Sequence, residues 1–223
     1  PRLVYGRLTG WGQSGPRADA AGHDLNYVGL SGAAWYAGQA TGAPVPPPTL
    51  VGDVGGGALY LAIGILAGIL RARESGEGTV VDAAIVDGSA HMMNLLLSLR
   101  AAGGLPDERG MSMLDGAHFY DVYRCADGKW ISVGPLEPKF YAMLVEKLGL
   151  AAEADFAAQF DAASWSAAKA RLGELFAEQP RAHWIRLLEG TDVCFAPVLS
   201  PTEAARHKHI AARGIYREIG GVL

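Results

Sequence analysis

The sequence predicts an α/β domain followed by a smaller α+β domain, and three observations predict it. "LVYGRL", a long apolar run and "TVVDAAIV" follow one another as strand, helix and strand, the order that pairs strands in parallel. "YDVYRCADGKWISVG" holds two alternating runs around Asp127-Gly128, a hairpin signal. Between them "RAAGGLPDERGMSMLDG" carries Gly, Pro and charge and reads as an interdomain linker. The expected boundaries are 1–97 for part of a large α/β domain, 98–117 for the linker, 118–199 for the small domain, and 200–223 for a segment returning toward the large one.

Each element has its own signal. "LVYGRL" is rich in strand formers and ends at the Gly/Ser/Pro loop "TGWGQSGP". "HDLNYVGLSG" places Leu25, Val28 and Leu30 at helical spacing, with Gly32 to end it. "AGQATGAPVPPPT" is a Pro/Gly loop, too short to join independent domains. A long helix is expected from about Gly55 to Glu74, closed by "SGEG", and a second over "VDGSAHMMNLLLSL". After the hairpin, "EPKFYAMLVEKLGL" has Pro138 in its first turn and ends at Gly149. Two more helical stretches end near Gln179 and Leu188, and "DVCFAPVL" reads as a strand. Ser200, Pro201 and Glu203 stand in capping-box register and start a last helix.

Composition narrows the class. With 223 residues, half of them hydrophobic, the chain can build one large core or two smaller ones. A net charge of −4 gives no reason to expect nucleic acid or an anionic membrane as partner. Cys125 and Cys194 have no metal-ligand spacing, so neither a disulfide framework nor a metal site is expected, and a reducing cytoplasm is the expected location. The apolar stretch Val54–Leu70 contains five glycines and reads as a buried core helix, not a membrane span. The opening "PRLVYGRLTGWG" is already strand-like and has no initiator Met, so we expect a chain that starts inside a fold.

Few residues invite chemistry. Asp53 stands among Gly52, Gly55, Gly56 and Gly57 at the mouth of the apolar run, where backbone can approach a ligand without β-carbons. A helix starting there offers amide N–H groups and a positive dipole end. A structural cap and a functional acid are both open; neither a P-loop nor a G-x-G-x-x-G is present. His23 at a helix start can serve as a general base near neutral pH or as a capping residue. Asp24 beside it can be a first-turn acid complementing the helix dipole. Glu137, where a strand becomes a helix, can be an N-terminal helix acid or can orient an imidazole. The other histidines show no ligand spacing, and the methionines of "GMSML" fit a core, a linker or an apolar wall equally. No Gly-x-Ser-x-Gly occurs and neither cysteine has an activating neighbour. One histidine, two acids and no metal motif fit proton transfer better than hydrolysis.

Taken together, "RLTGWGQSGP", "AGHDLNYVGLSG", "GDVGGGALYLAIGILAGIL", "GMSMLDGAHFYDVYRCADGKWISVGPLEPKFY" and "GTDVCFAPVL" resemble the α-methylacyl-CoA racemases of the family III CoA-transferase superfamily. The resemblance runs over most of the chain in the expected order. It implies a Rossmann-like large domain that binds CoA, plus the smaller α+β domain. It also implies inversion of the carbon next to a CoA thioester by removal and return of a proton. His23 and Asp53 match the acid/base residues on opposite faces of that carbon, and Glu137 matches the acid that partners the histidine. The Asp24 backbone N–H matches the donor to the thioester oxygen, Gly55 and Gly56 fall where the substrate approaches, and Tyr120 lines the acyl region. No cofactor is implied, since CoA is part of the acyl-CoA substrate. The family's chains carry about a hundred residues before "PRLVYG" and continue beyond Leu223, and they form interlocked homodimers. Two other readings stand beside this one: a CoA-transferase with Asp53 as nucleophile, and a CoA-binding or assembly fragment without turnover.

Overall fold

In the structure, a computed structural model that describes residues 2–221, β1 (Val4–Thr9) and β2 (Thr79–Ala84) pair in parallel, with Tyr5 opposite Val80 and Gly6 opposite Val81. The crossover between them runs through α2 (Leu59–Ser75), and glycines bring this helix onto the strands. A β-carbon at Gly68 would stand 2.8 Å from Val4 Cγ1, one at Gly6 2.8 Å from Ile65 Cδ1, and one at Gly64 would overlap Val81. The opposite face of α2, with Leu59, Ile63, Leu66 and Leu70, is exposed, as are Tyr5 and Val80 on the strands. The helix expected to be buried is therefore buried on one side only. Among the described residues, Leu50–Ser75 is the one helical stretch long and apolar enough to cross a membrane, on length and composition alone.

The helix also begins earlier than its apolar pattern suggests. Residues Leu50–Ala58 form a π-helical segment, in which Val54 N–H donates to Thr49 O at 3.1 Å and Leu59 N–H to Val54 O, five residues back in each case. Thr49 precedes it with φ +60°, a left-handed conformation rarely taken by a β-branched residue. Asp53 thus lies inside the first turn and is not its cap. α1 (Asp24–Leu30) is followed by Gly32 at φ +86°, as expected. The helix expected over 86–99 is two, α3 (Ile85–Met92) and α4 (Asn94–Ala101), separated at Met93.

The stretch read as a linker is fastened down. Trp35 Nε1 donates to Asp107 O at 2.7 Å and Tyr36 OH to Pro106 O at 3.0 Å. Arg109 donates to Gly42 O at 2.7 Å, Gln39 O at 2.6 Å and Ala37 O at 3.0 Å, pinning the Pro/Gly loop from three sides. The first of two compact units accordingly runs through Asp115, and the second starts at Gly116.

The second unit is built on an antiparallel sheet, β3 (Asp121–Arg124), β4 (Trp130–Val133) and β5 (Phe195–Val198), in the order β3-β4-β5. Gly128, at φ +74°, makes the hairpin turn. α5 (Pro138–Lys147), α6 (Ala162–Ala177) and α7 (Arg181–Leu188) close over the sheet around Ile131, Leu144, Leu172, Phe176, Trp184 and Leu188. The capping box of Ser200 and Glu203 forms and starts α8 (Pro201–Arg206); His207 breaks the expected single helix before α9 (Lys208–Ala212). Arg181, itself buried, reaches Glu203 and the Val198 carbonyl, so α8 clusters with this unit. Glu203's carboxyl is held at about 2 by Arg181, the Ser200 N–H and Lys129.

Candidate active site

In the first unit, His23 caps α1 in extended conformation, its backbone N–H held by Asn26 Oδ1 at 3.0 Å and its ring at the surface. The Asp24 N–H that follows is at the first helical position, with no carbonyl of its own helix behind it. The Asp24 side chain does something the dipole reading did not anticipate. It is buried and turns away from its own helix to the π-helical segment, accepting Asp53 N–H on Oδ1 at 2.9 Å and Thr49 N–H on Oδ2 at 3.3 Å. His23 and Asp53 are thereby one peptide bond and one hydrogen bond apart through Asp24. The Asp53 carboxylate itself is half-buried, and no hydrogen bond among the described residues occupies it.

The glycines around Asp53 make room for neighbouring elements. A β-carbon at Gly52 would overlap Asp24 Oδ1, one at Gly56 would stand 2.6 Å from Ser89 Oγ, and one at Gly57 2.9 Å from Ile85 Cγ1. From the other side, a β-carbon at Gly88 would overlap the Gly56 carbonyl. Gly52, Gly56 and Gly57 are buried, and their missing side chains admit Asp24 and α3. Gly55 alone of the four is partly open, with Met92 Sδ 3.3 Å from where its β-carbon would lie. One face of α1 borders a depression of about 430 Å³ lined by Trp11, Arg17, Leu25, Asn26, Gly29 and Leu30. Met111 and Met113 are exposed in the same unit.

Glu137 and Tyr120 belong to the second unit. Because β3 and β5 start at the edge where β4 ends, Tyr120 before β3, Gly134 and Glu137 after β4, and Cys194 before β5 gather at one rim of the sheet. Tyr120 lies against Gly134, whose N–H donates to Cys194 O at 2.9 Å. Glu137 is exposed and caps α5 with its carbonyl, which accepts the N–H groups of Phe140 and Tyr141. Cys194 takes φ +52°; partial burial, then the Glu137 and Asp192 carboxylates, push its thiol up. Sequence reasoning passed over Cys194, since a left-handed backbone at a non-glycine residue leaves no mark in the sequence. It missed the Asp24 carboxylate for a similar reason: its partners lie 25 and 29 residues away. No cluster of three or more His, Cys, Asp or Glu fit for a metal occurs among the described residues.

Over 97% of its length the chain is 39% identical to the alpha-methylacyl-CoA racemase of Mus musculus, and likewise to that of Homo sapiens. It covers 57% and 56% of those proteins. It is 31% identical to the acetyl-CoA:oxalate CoA-transferase of Acetobacter aceti, covering 58% of that chain. The chain thus spans less than two thirds of the curated relatives it matches. Its fold is shared with a CAIB/BAIF family protein from Brucella suis, at a TM-score of 0.81 and 23% identity, over 100% of this chain and 59% of the other. The family described as CoA-transferase family III matches residues 1–221. With that match running along nearly all of it, the chain belongs to family III of the CoA-transferases.

Proposed function

We propose that the protein containing this chain interconverts the R and S forms of 2-methylacyl-CoA thioesters by moving a proton at the α-carbon. The observation that supports this best is that His23 and Asp53, joined through Asp24, stand in a chain 39% identical to racemases of that class. A thioester α-hydrogen is a far weaker acid than imidazolium or a carboxylic acid, and a mismatch on the order of ten pKa units amounts to ~14 kcal/mol. A base alone does not overcome this, so the enolate oxygen needs a preorganised donor, worth roughly 3–4 kcal/mol. In this reading the Asp24 N–H is that donor, while His23 and Asp53 take the proton from one face and return it to the other. Glu137 orients and charges the His23 imidazole, and Tyr120 lines the acyl region. The reading carries with it an interlocked homodimer in the cytoplasm.

The similarity to an acetyl-CoA:oxalate CoA-transferase favours one rival. There Asp53 would attack the thioester carbonyl, expel CoA as its thiolate and hold the acyl group as a mixed anhydride. Incubating the full-length protein with one 2-methylacyl-CoA enantiomer in deuterium oxide, without acceptor acid, separates the two. We expect deuterium at the α-carbon and loss of optical purity. Retention of both hydrogen and configuration, with acyl transfer once a carboxylic acid is added, would establish the transferase instead.

A further inference from the structure

We propose that the Asp24 side chain is a positioning residue that fixes Asp53 relative to His23, a role separate from that of its backbone N–H. The inference rests on the racemase reading for its chemistry and on the structure for its geometry. A π-helical turn leaves more amides without carbonyl partners than an α-helical one, and it is an uncommon way to start a helix. Here it follows Thr49 at φ +60°, a conformation that a β-branched residue keeps only where its surroundings hold it. The Asp24 carboxylate is what meets both ends of that turn, Thr49 N–H with one oxygen and Asp53 N–H with the other. As an anion at the positive end of a helix, it makes charge-assisted bonds. The contact also explains Gly52: any β-carbon there would displace Asp24 Oδ1 and press on Val28 Cγ2 at 2.8 Å. Asp24 follows His23 directly, so a clasp on Asp53 sets the spacing of the two bases and not merely the stability of the turn. His23 does not depend on it in the same way, because its backbone is held by Asn26.

The test uses the full-length protein with Asp24→Ala, Asp24→Asn and Gly52→Ala. Deuterium exchange into each enantiomer of 2-methylacyl-CoA is followed separately, and backbone amide exchange of residues 49–54 is measured alongside. A displacement of about 1 Å at a reacting group can cost ~100-fold, so Asp24→Ala should slow the Asp53-dependent enantiomer by about that factor. The other enantiomer should change by less than about threefold. Gly52→Ala should reproduce the pattern with Asp24 still present. Asp24→Asn, which keeps an acceptor for Asp53 N–H, should recover part of the loss. Amide exchange at 49–54 should accelerate in proportion. If both enantiomers slow alike in folded variants, or if amide protection at 49–54 is unchanged, the clasp is wrong. Should Asp24→Ala not fold, the asymmetry is read from Asp24→Asn and Gly52→Ala. A wild-type protein that exchanges neither enantiomer overturns the racemase reading and Asp24's part in the reaction, while the amide data still report whether Asp24 holds the turn.

Discussion

If His23 and Asp53 serve opposite faces of the α-carbon, as proposed, they share the work unequally for a given enantiomer. Asp53→Asn keeps shape and removes the base, so racemisation should fall by about 100-fold or more, the lower range for general acid–base groups. The same variant should still exchange deuterium into the enantiomer whose hydrogen faces His23. His23→Ala should show the mirror pattern, and Glu137→Gln should weaken the histidine half more than the aspartate half. Half-reactions followed by NMR in deuterium oxide decide it. Equal loss from both enantiomers in Asp53→Asn, with the fold intact, would mark Asp53 as a nucleophile or a binding group. At this scale the sequence named the two candidate bases but not what holds them. Which of these glycines are closed off by a neighbouring helix was equally hidden, because Gly55 and Gly56 read alike in one dimension while only the second is buried, against Ser89 and the Ile85 carbonyl of α3.

Among elements, the seam between α3 and the π-helical segment tolerates no added atom. Gly88→Ala would drive a methyl into the Gly56 carbonyl, and overpacking of this kind costs typically ~1–3 kcal/mol. Gly29→Ala is the contrast: nothing lies within 4 Å of its β-carbon position in α1, and relief of glycine's entropy should gain ~0.5–1 kcal/mol. Denaturation midpoints of the two variants should move in opposite directions; a neutral Gly88→Ala would mean that the seam opens without penalty. Elements governed by local chemistry were legible in advance. Asp127-Gly128 announced its hairpin, Gly149 at φ +73° ended α5, and Ser200 with Glu203 opened α8. Those governed by distant partners were not. The π-helical start is bonded by Asp24 from another helix, and the breaks at Met93 and His207 interrupt runs whose local pattern favours continuous helix.

Across the whole molecule the two units differ in what they bury. The second has an aromatic core with a histidine inside it. His118 is fully buried, and its Nε2 lies 2.8 Å from Tyr141 OH, which donates to Phe156 O at 3.2 Å. The Tyr141 proton is thus committed, His118 carries its own on Nε2, and Nδ1 is a bare acceptor without a partner among the described residues. Burial first, and the Lys169 charge second, bring its pKa down to about 4 from 6.5. Between these values the unfolded chain binds the proton and the folded one does not. The second unit should therefore lose stability as pH falls from about 6.5 toward 4, by roughly 2–3 kcal/mol in all. Hydrogen exchange of the buried Trp165 and Trp184 indoles across that range measures it, and His118→Leu should flatten the dependence. A wild-type unit equally stable at both ends would show that the imidazole is already satisfied when protonated.

Arg109 bears on how the chain meets a protease. Trypsin needs a stretch of several residues in extended form with the arginine side chain free to enter its specificity pocket. Here the guanidinium is committed to three carbonyls of the 37–42 loop, and the flanking backbone is tied through Asp107 and through Gly110 N–H to Asp115 Oδ2 at 2.7 Å. A segment whose composition looks like the easiest place to nick is in this fold closed to cleavage at Arg109, the second of its two arginines. Digestion there reports the undocking of the 37–42 loop, not the ordinary motion of a tether.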